Sequence, residues 1–495
     1  MRGCWAKTFP NMAAMNSTRH SLRGAFTLGT ASALDYVLQF ILPIVLVRSL
    51  DPTAFGEYRI LWLVTNTVMA IAPLYMPQSL FYFLPRAGER RAPYVANVLW
   101  FLGLMGVLGA LIISPWNPLR PELLHGLPGA NDLIPAFVLL WVASTLVEWL
   151  ANAEGRVGAQ ARIVITLSLT RVVIVGAVAW FTRDIHAVFF ALAAFALLRC
   201  LFVLGDILRR YGKAGLTPNS GLMRQQIAYA APFGAAGMLY NLRQQSDQWI
   251  AASLFSLQQF AAFSISLVVL PLAGLIRQAV SNAILPAMNT RHHQGDVLGA
   301  VAINRDANTL TGILLFPVLV YLFVFAEEVI GLVYTVQYLD GAQPMRVYLL
   351  GLVGQALVVN NLLITLAQGR FQMRLNAFFL PVAVLLSLGG ASVYGLTGAA
   401  LGSAVTQWGS HLLSIRHVSR ISQVGASRLI DWSALAQFAF AGMFAGLLAY
   451  FAVRALDTPS MGLRLLVGAA VFSSVYFLSV FWSKPARTLY AAIKH

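Results

Sequence analysis

Fourteen apolar segments, joined by connections of at most about twenty residues, restrict this 495-residue chain to very few folds. Their limits are 24–48, 59–83, 94–114, 133–152, 162–182, 186–207, 227–255, 260–285, 308–326, 345–367, 375–394, 396–415, 434–454 and 461–483. A helix needs ~20 mostly apolar residues to cross a bilayer. Inside lipid, every backbone N–H and C=O must be satisfied within the protein, which segments of this length achieve as helices. The longer connections, such as 114–132 and 326–343, are roughly twenty residues and leave no room for a soluble domain. With 58% hydrophobic and 11% charged residues, the chain lies far from a soluble globular composition.

Lys and Arg set the expected orientation. With the N-terminus in the cytoplasm, 23 of the 34 cations fall on inside segments and 7 on outside ones. Arg86, Arg90 and Arg91 share one inside loop, and Arg209, Arg210 and Lys213 another, whereas Arg120 and Arg183 stand alone outside. This asymmetry is the orientation signal and predicts cytoplasmic N- and C-termini. The net charge of +16 therefore reads as loop bias. No DNA- or RNA-binding motif is present, and no nucleic-acid partner is expected. Cys4 falls in the tail and Cys200 in a span, so neither a disulfide nor a metal site is expected from them. Residues 1–22 lack the apolar core of a signal peptide and carry Arg2, Lys7 and Arg19. They read as a cytoplasmic tail, disordered before Met15, with Met12 and Met15 as alternative starts.

The remaining four cations are intramembrane: Arg171, Arg199, Arg243 and Arg277, on spans 5 to 8. Three acids join them: Asp35, Glu148 and Asp247, on spans 1, 4 and 7. A charge at the bilayer centre costs at least ~2.5–3.5 kcal/mol, so such residues mark functional sites facing protein or water. Four guanidiniums near the middle of the chain predict a cationic cavity, and the planar fork of Arg matches phosphate through two parallel hydrogen bonds. Span 7 is the densest stretch: Asn241-Leu242-Arg243-Gln244-Gln245-Ser246-Asp247-Gln248-Trp249. Asn241, Gln244, Gln245 and Gln248 are expected to join the arginines in a substrate site. Arg243 and Asp247 are four apart and can pair on one helix face. The competing reading is a structural ion pair locking neighbouring helices. For Arg199 and Arg277, nearer the cytoplasmic surface, it is snorkelling. Asp35, Asp247 and Glu148 are candidates for ion coupling.

Uncharged polar residues gather on spans 1, 2, 7 and 10, among them Gln39, Asn66, Gln78, Gln355, Asn360 and Asn361. Tyr36, Tyr75, Trp149, Tyr240 and Trp249 accompany them. Amides read sugar hydroxyls and aromatic rings stack on apolar sugar faces. Taken singly, each amide is better explained by an interhelical hydrogen bond, worth ~0.6 kcal/mol on average. Pro43, Pro73, Pro77, Pro232, Pro271 and Pro317 mark candidate bending points within spans.

A weak internal repeat divides the chain. Ser49-Leu50-Asp51-Pro52-Thr53-Ala54-Phe55-Gly56 is echoed by Ser256-Leu257-Gln258-Gln259-Phe260-Ala261-Ala262-Phe263. Phe83-Leu84-Pro85 before Arg90-Arg91 is echoed by Ile284-Leu285-Pro286 before Arg291. Parallel repeats of this kind place a substrate cavity at the repeat interface, with alternating access as the motion. The expected fold is an all-α integral membrane protein of about 14 transmembrane helices, with two six-helix lobes related by the repeat and two C-terminal helices. The expected divisions are a tail at 1–22, an N-terminal lobe at 23–213, a C-terminal lobe at 214–420, and two added helices with a short tail at 421–495.

Four stretches carry a family resemblance. They are Val47-Arg48-Ser49-Leu50-Asp51-Pro52-Thr53-Ala54-Phe55-Gly56-Glu57-Tyr58; Ala326-Glu327-Glu328-Val329-Ile330-Gly331-Leu332-Val333-Tyr334, with Tyr338 and Ala342; Ala367-Gln368-Gly369-Arg370; and Tyr394-Gly395-Leu396-Thr397-Gly398-Ala399-Ala400. In order and spacing the chain resembles the bacterial lipid-linked oligosaccharide flippases for O-antigen and exopolysaccharide, of the multidrug/oligosaccharidyl-lipid/polysaccharide exporter (MOP) superfamily. The resemblance implies two six-helix lobes around a central cationic cavity that takes the pyrophosphate and sugars of an undecaprenyl-linked glycan. It implies residence in the bacterial inner membrane, and partners in a polymerase and glycosyltransferases of the same pathway. The C-terminal pair of helices resembles those proposed to guide the lipid tail in the peptidoglycan-precursor flippase. The quoted stretches are turn and packing elements, so no catalytic residue carries over.

The expected function is flipping of a lipid-linked oligosaccharide by alternating access, with no catalytic group and no cofactor. A drug or cation antiporter of the same superfamily is the alternative, but it would favour an acidic cavity. A membrane enzyme such as a polymerase is disfavoured, because no HExxH, GxSxG or P-loop is present and no outside loop is large.

Overall fold

The computed structural model describes residues 29–30, 33–118, 120–456 and 460–481. The expected tail at 1–22, with Cys4, lies outside the described residues, as does the chain after Phe481. Among the described residues the protein is helical, without a strand. In chain order the helices are α1 (33–49), α2 (Pro52–Ile71), α3 (Met76–Phe83), α4 (Arg91–Ile113), α5 (Leu133–Ala143), α6 (Leu150–Ala153), α7 (Val157–Thr182), α8 (Ile185–Tyr211) and α9 (Ser220–Leu254). Then come α10 (Leu257–Ser266), α11 (Val269–His293), α12 (Val297–Val324), α13 (Ala326–Val333), α14 (Ala342–Leu352), α15 (Asn360–Thr365), α16 (Gly369–Ser422), α17 (Ala426–Leu429), α18 (Trp432–Ala455) and α19 (Met461–Phe481). Nine helical stretches among the described residues are long and apolar enough to cross a membrane, or ten if the bent pair α2–α3 counts as one crossing. The chain is a multi-pass membrane protein.

Several apolar segments are broken partway along their length. Residues 133–152 comprise α5, a 3₁₀ turn at Ser144–Glu148, and α6. Residues 345–367 fall on α14 and α15, joined through a 3₁₀ turn at Val353–Leu357. Helix α16 is two helices in one. Its 54 residues would reach about 80 Å as a straight rod, more than twice the ~30 Å hydrocarbon core. Tyr394 and Gly395 leave helical geometry, with Gly395 at φ 59°. A Cβ on Gly398 would overlap the Gly390 carbonyl, and one on Gly409 would lie 2.8 Å from the Phe379 ring. The two arms therefore run antiparallel in close contact, matching the separate segments expected at 375–394 and 396–415.

Of the six prolines marked as bending points, Pro73 sits in a true break. Helices α2 and α3 are bent by 41° there, with Leu74 and Tyr75 at positive φ. Gly234 seats this break: a Cβ on it would come within 2.7 Å of the Leu74 backbone. Pro232 and Pro317 lie inside helices that continue past them.

The protein divides into two compact units. Unit 1 takes the residues up to Leu46 and Ile71–Gly234, and unit 2 takes Val47–Ala70 and the residues from Ala235 onward. In unit 1 the apolar faces of α4, α5 and α8 meet through Val98, Leu102, Val138, Val142 and Leu192, all fully buried. A buried polar relay ties α9 to α4 and α3: Asn97 donates to Gln226 at 2.9 Å, and Gln226 donates to Ser79 at 3.4 Å. In unit 2, α18 and α19 pack on α12 through Phe316, Leu435, Phe438, Phe472 and Tyr476. The Tyr476 hydroxyl donates to the Ile313 carbonyl at 3.0 Å, and that of Tyr321 to the Leu465 carbonyl at 2.8 Å.

The loop before α5 is pinned by one cation. Arg120 is 6% exposed and donates to Asn131 at 2.9 Å and to the carbonyls of Leu124 and Ala130 at 3.0 and 2.8 Å. Burial holds its guanidinium below the ordinary arginine pKa. Arg120→Ala is expected to leave these acceptors unpaired, at about 1–3 kcal/mol for a buried group. Limited proteolysis of membranes should then cut the 114–132 loop faster than in wild type, and equal rates would show that the loop is held by other contacts.

Candidate functional site

Unit 2 contains a polar cavity of about 580 Å³. Helical spacing builds its walls. On α9, Tyr240, Arg243 and Gln244 lie within about one turn. On α11, Arg277, Gln278, Ser281 and Asn282 repeat at three and four residues. On the second arm of α16, Gln407, Ser410, His411 and Ser414 follow the same period. Residues three and four apart share one helix face, so each set forms a single stripe. Gln355 enters from the break between α14 and α15, Asn360 and Asn361 from the start of α15, and Gln372 and Asn376 from the first arm of α16. No carboxylate lines this cavity among the described residues.

The two arginines are 4% and 6% exposed. Arg277 is anchored: it donates to Asn308 at 2.9 Å, to Thr311 at 3.4 Å and to the Val358 carbonyl at 3.3 Å. Arg243 is less committed. Its guanidinium lies 5.6 Å from the centre of the Tyr240 ring, and its Nε and Nη1 are buried without a hydrogen-bond partner among the described residues. The same holds for Nε of Arg277 and Nε2 of His411. Among the described residues neither guanidinium has a carboxylate within 4.0 Å. Buried donors without acceptors are costly. Such a wall can donate hydrogen bonds to an acceptor-rich anion, and its amides can bond hydroxyl groups.

Unit 1 contains a second polar pocket, of about 470 Å³. Asp35, Tyr36 and Gln39 come from α1, Trp141 from α5, Glu148 and Trp149 from the turn after it, Ser168 and Arg171 from α7, and Arg199 from α8. Here the charges are matched. Arg199 pairs with Glu148 at 2.8 Å, and its guanidinium lies 4.0 Å over the Trp141 ring. Arg171 lies 6.0 Å from the same ring. Asp35 accepts from Gln39 at 2.7 Å and from the Ser168 hydroxyl.

The four intramembrane arginines are thus divided two and two between the units. Of the span 7 amides, Gln244 reaches a cavity wall. Gln245 accepts from Thr67 at 2.7 Å, and Trp249 donates to Thr67 at 2.8 Å, so both fasten α9 to α2. Asn241 is exposed and Gln248 half-buried, and neither lines the cavity. Asp35 and Glu148 line the unit 1 pocket, but Asp247 lines neither pocket. The pairing open to Arg243 and Asp247 is not made. Asp247 is fully buried and accepts from the Tyr348 hydroxyl of α14, while Arg243 lines the cavity. Four residues of helix leave a ~40° offset between side chains, and here two different partners take the two groups. Sequence reasoning missed His411, Gln407, Ser410 and Ser414, although their three- and four-residue spacing on span 12 was the available signal. It also missed Trp141 and Ser168, which look like ordinary span residues.

The polysaccharide biosynthesis protein family model matches residues 21–291, more than half of the chain. No curated protein sequence gives a significant match. Among solved structures, the lipid II flippase MurJ in an inward closed conformation superposes with a TM-score of 0.62 at 13% identity, covering 91% of this chain and 99% of that one. A multidrug resistance MATE transporter of the MOP superfamily, inward-facing, gives 0.54 at 13% identity, covering 78% of this chain and 94% of that one. A MOP superfamily transporter from Pyrococcus furiosus gives 0.56 at 11%, covering 82% and 95%. At such identities the likeness establishes the shared fold. With the fold of the MOP transporters and more than half its length matched by one family model, the chain belongs to the polysaccharide biosynthesis protein family.

Proposed function

We propose that this protein flips an undecaprenyl-pyrophosphate-linked oligosaccharide from the cytoplasmic to the periplasmic leaflet of a bacterial inner membrane, for O-antigen, capsule or exopolysaccharide synthesis. The observation that carries this reading is the unit 2 cavity, with two buried guanidiniums and no carboxylate on its wall. A pyrophosphate in the cavity supplies acceptors to the guanidiniums of Arg243 and Arg277, both of which line its wall. Arg243 engages it as a planar fork, with two parallel bonds to one phosphate. The surrounding amides take sugar hydroxyls. An apolar cavity of about 720 Å³ between α12, α14 and α18 suits the prenyl chain. No covalent bond changes, so binding and alternating exposure to the two faces of the membrane suffice. Both termini lie in the cytoplasm, and the pathway's glycosyltransferases and polymerase act before and after the step.

A drug or cation antiporter is the second reading, favoured by the MATE fold and by Asp35 and Glu148 in the unit 1 pocket. Cation binding in unit 2 would have to overcome two arginines unopposed by any carboxylate within 4.0 Å.

The test is complementation of a flippase-null strain carrying the protein's own glycan pathway. The proposal expects surface polysaccharide to return and intracellular lipid-linked glycan to fall. Normal membrane levels of the protein with continued accumulation of that intermediate would overturn it.

A further inference from the structure

The unit 1 pocket differs in kind from the unit 2 cavity, and the difference points to a second task. Its two arginines face two carboxylates, so its formal charge cancels. Both acids are already engaged, Glu148 by Arg199 and Asp35 by Gln39 and Ser168. A bare cation would have to displace those partners. No cluster of three or more metal-ligating side chains occurs among the described residues.

The pocket is instead equipped for hydroxyl groups. In the Arg199–Glu148 pair the arginine side chain is 5% exposed and the glutamate 46%. Arg199, pressed on the Trp141 ring, therefore acts as an anchor that holds the carboxylate toward the cavity. The second Glu148 oxygen has no hydrogen bond within the described residues and is free to accept one. Two aromatic rings, Tyr36 and Trp149, remain partly exposed on the same wall. Trp149 is braced edge-on by Phe81 at 6.2 Å between centroids. A rigid aromatic body beside oriented polar groups is the arrangement that binds a sugar ring, with C–H groups on the aromatic face and hydroxyls on the carboxylate. The volume of about 470 Å³ lies within the range of small-ligand pockets.

We infer that the unit 1 pocket, through Glu148, Trp149 and Tyr36, is a binding subsite for a neutral, hydroxyl-rich sugar ring of the transported glycan. The inference rests on the flippase reading and adds a sugar subsite in unit 1 to the anion- and hydroxyl-binding cavity of unit 2.

The experiment uses the full-length protein in proteoliposomes and measures flipping of undecaprenyl pyrophosphate with and without the oligosaccharide. Glu148→Gln keeps the shape of the side chain and its bond to Arg199, while Trp149→Leu removes the ring. The ratio of glycan-bearing to bare-lipid flipping is expected to fall about tenfold in each, the effect of one lost hydrogen bond to a charged group or one lost stacking contact. Equal losses on both lipids, or no loss, would overturn the subsite. So would an altered response to pH or cation gradients at unchanged selectivity, which assigns these carboxylates to coupling. If the wild type moves neither lipid, the flippase reading fails and the subsite with it. If it moves both and the variants do not discriminate, only the subsite fails.

Discussion

Arg243→Ala is expected to lower flipping by roughly 10²–10⁴-fold with little change in the amount of protein in the membrane. The magnitude follows from losing two charge-assisted hydrogen bonds to phosphate, each worth about 1.5–3 kcal/mol. The protein should tolerate the change because Arg243 Nε and Nη1 have no hydrogen-bond partner among the described residues, so truncation orphans no acceptor there. Arg243→Lys keeps the charge and loses the fork. Its activity should fall between wild type and Ala, and full rescue would show that charge alone is sufficient. Arg277→Ala is expected to behave differently. It leaves the Asn308 side-chain oxygen without its donor and removes one of two donors to the Val358 carbonyl, so accumulation of the protein should fall together with activity. Transport per molecule, normalised to membrane protein, separates the two arginines.

Gly398→Leu is expected to prevent accumulation of folded protein altogether. The arms of α16 touch backbone to backbone at Gly390 and Gly398, and a side chain at either meets carbonyl atoms that cannot rotate away. Overpacking a core usually costs about 1–3 kcal/mol because side chains can shift. Here only separation of the two arms relieves the overlap, so the cost should exceed that range and consume much of a typical stability of ~5–15 kcal/mol. Gly389→Ala is the control, since nothing lies within 4 Å of a Cβ placed there. Fluorescence-detected size exclusion of tagged variants reads both outcomes. A monodisperse Gly398→Leu peak at wild-type height would contradict the close approach of the arms.

The same hairpin illustrates what the sequence made legible. Tyr394-Gly395-Leu396-Thr397-Gly398-Ala399-Ala400 stood out by resemblance as a turn and packing element, without the geometry that requires its glycines. The reason is steric: Gly395 supplies a positive φ at the turn and Gly398 supplies the contact. The apolar segments were readable because lipid rewards hydropathy along the chain, whatever a helix touches. The break at Leu267–Val268 was not readable, because both residues are apolar and the hydropathy runs through them unchanged. The four arginines were conspicuous because charge is rare in such runs. Their division between two pockets was not readable, nor was the link of Asp247 to Tyr348, 101 residues away. Gln245 was misleading for a related reason. An amide on a polar span serves equally as a ligand or as a clamp, and only the position of Thr67 shows that it clamps α2.

The most direct test of the central claim is flipping by the purified protein, reconstituted in liposomes with a fluorescent undecaprenyl-pyrophosphate glycan in both leaflets and an impermeant quencher outside. The account predicts that wild-type protein brings the inner-leaflet fraction within reach of the quencher, while Arg243→Ala, incorporated to the same level, leaves it protected as in empty liposomes. Protection of the inner leaflet in wild-type vesicles, together with exchange of a cationic drug against protons in the same vesicles, would contradict the account and establish the antiporter in its place.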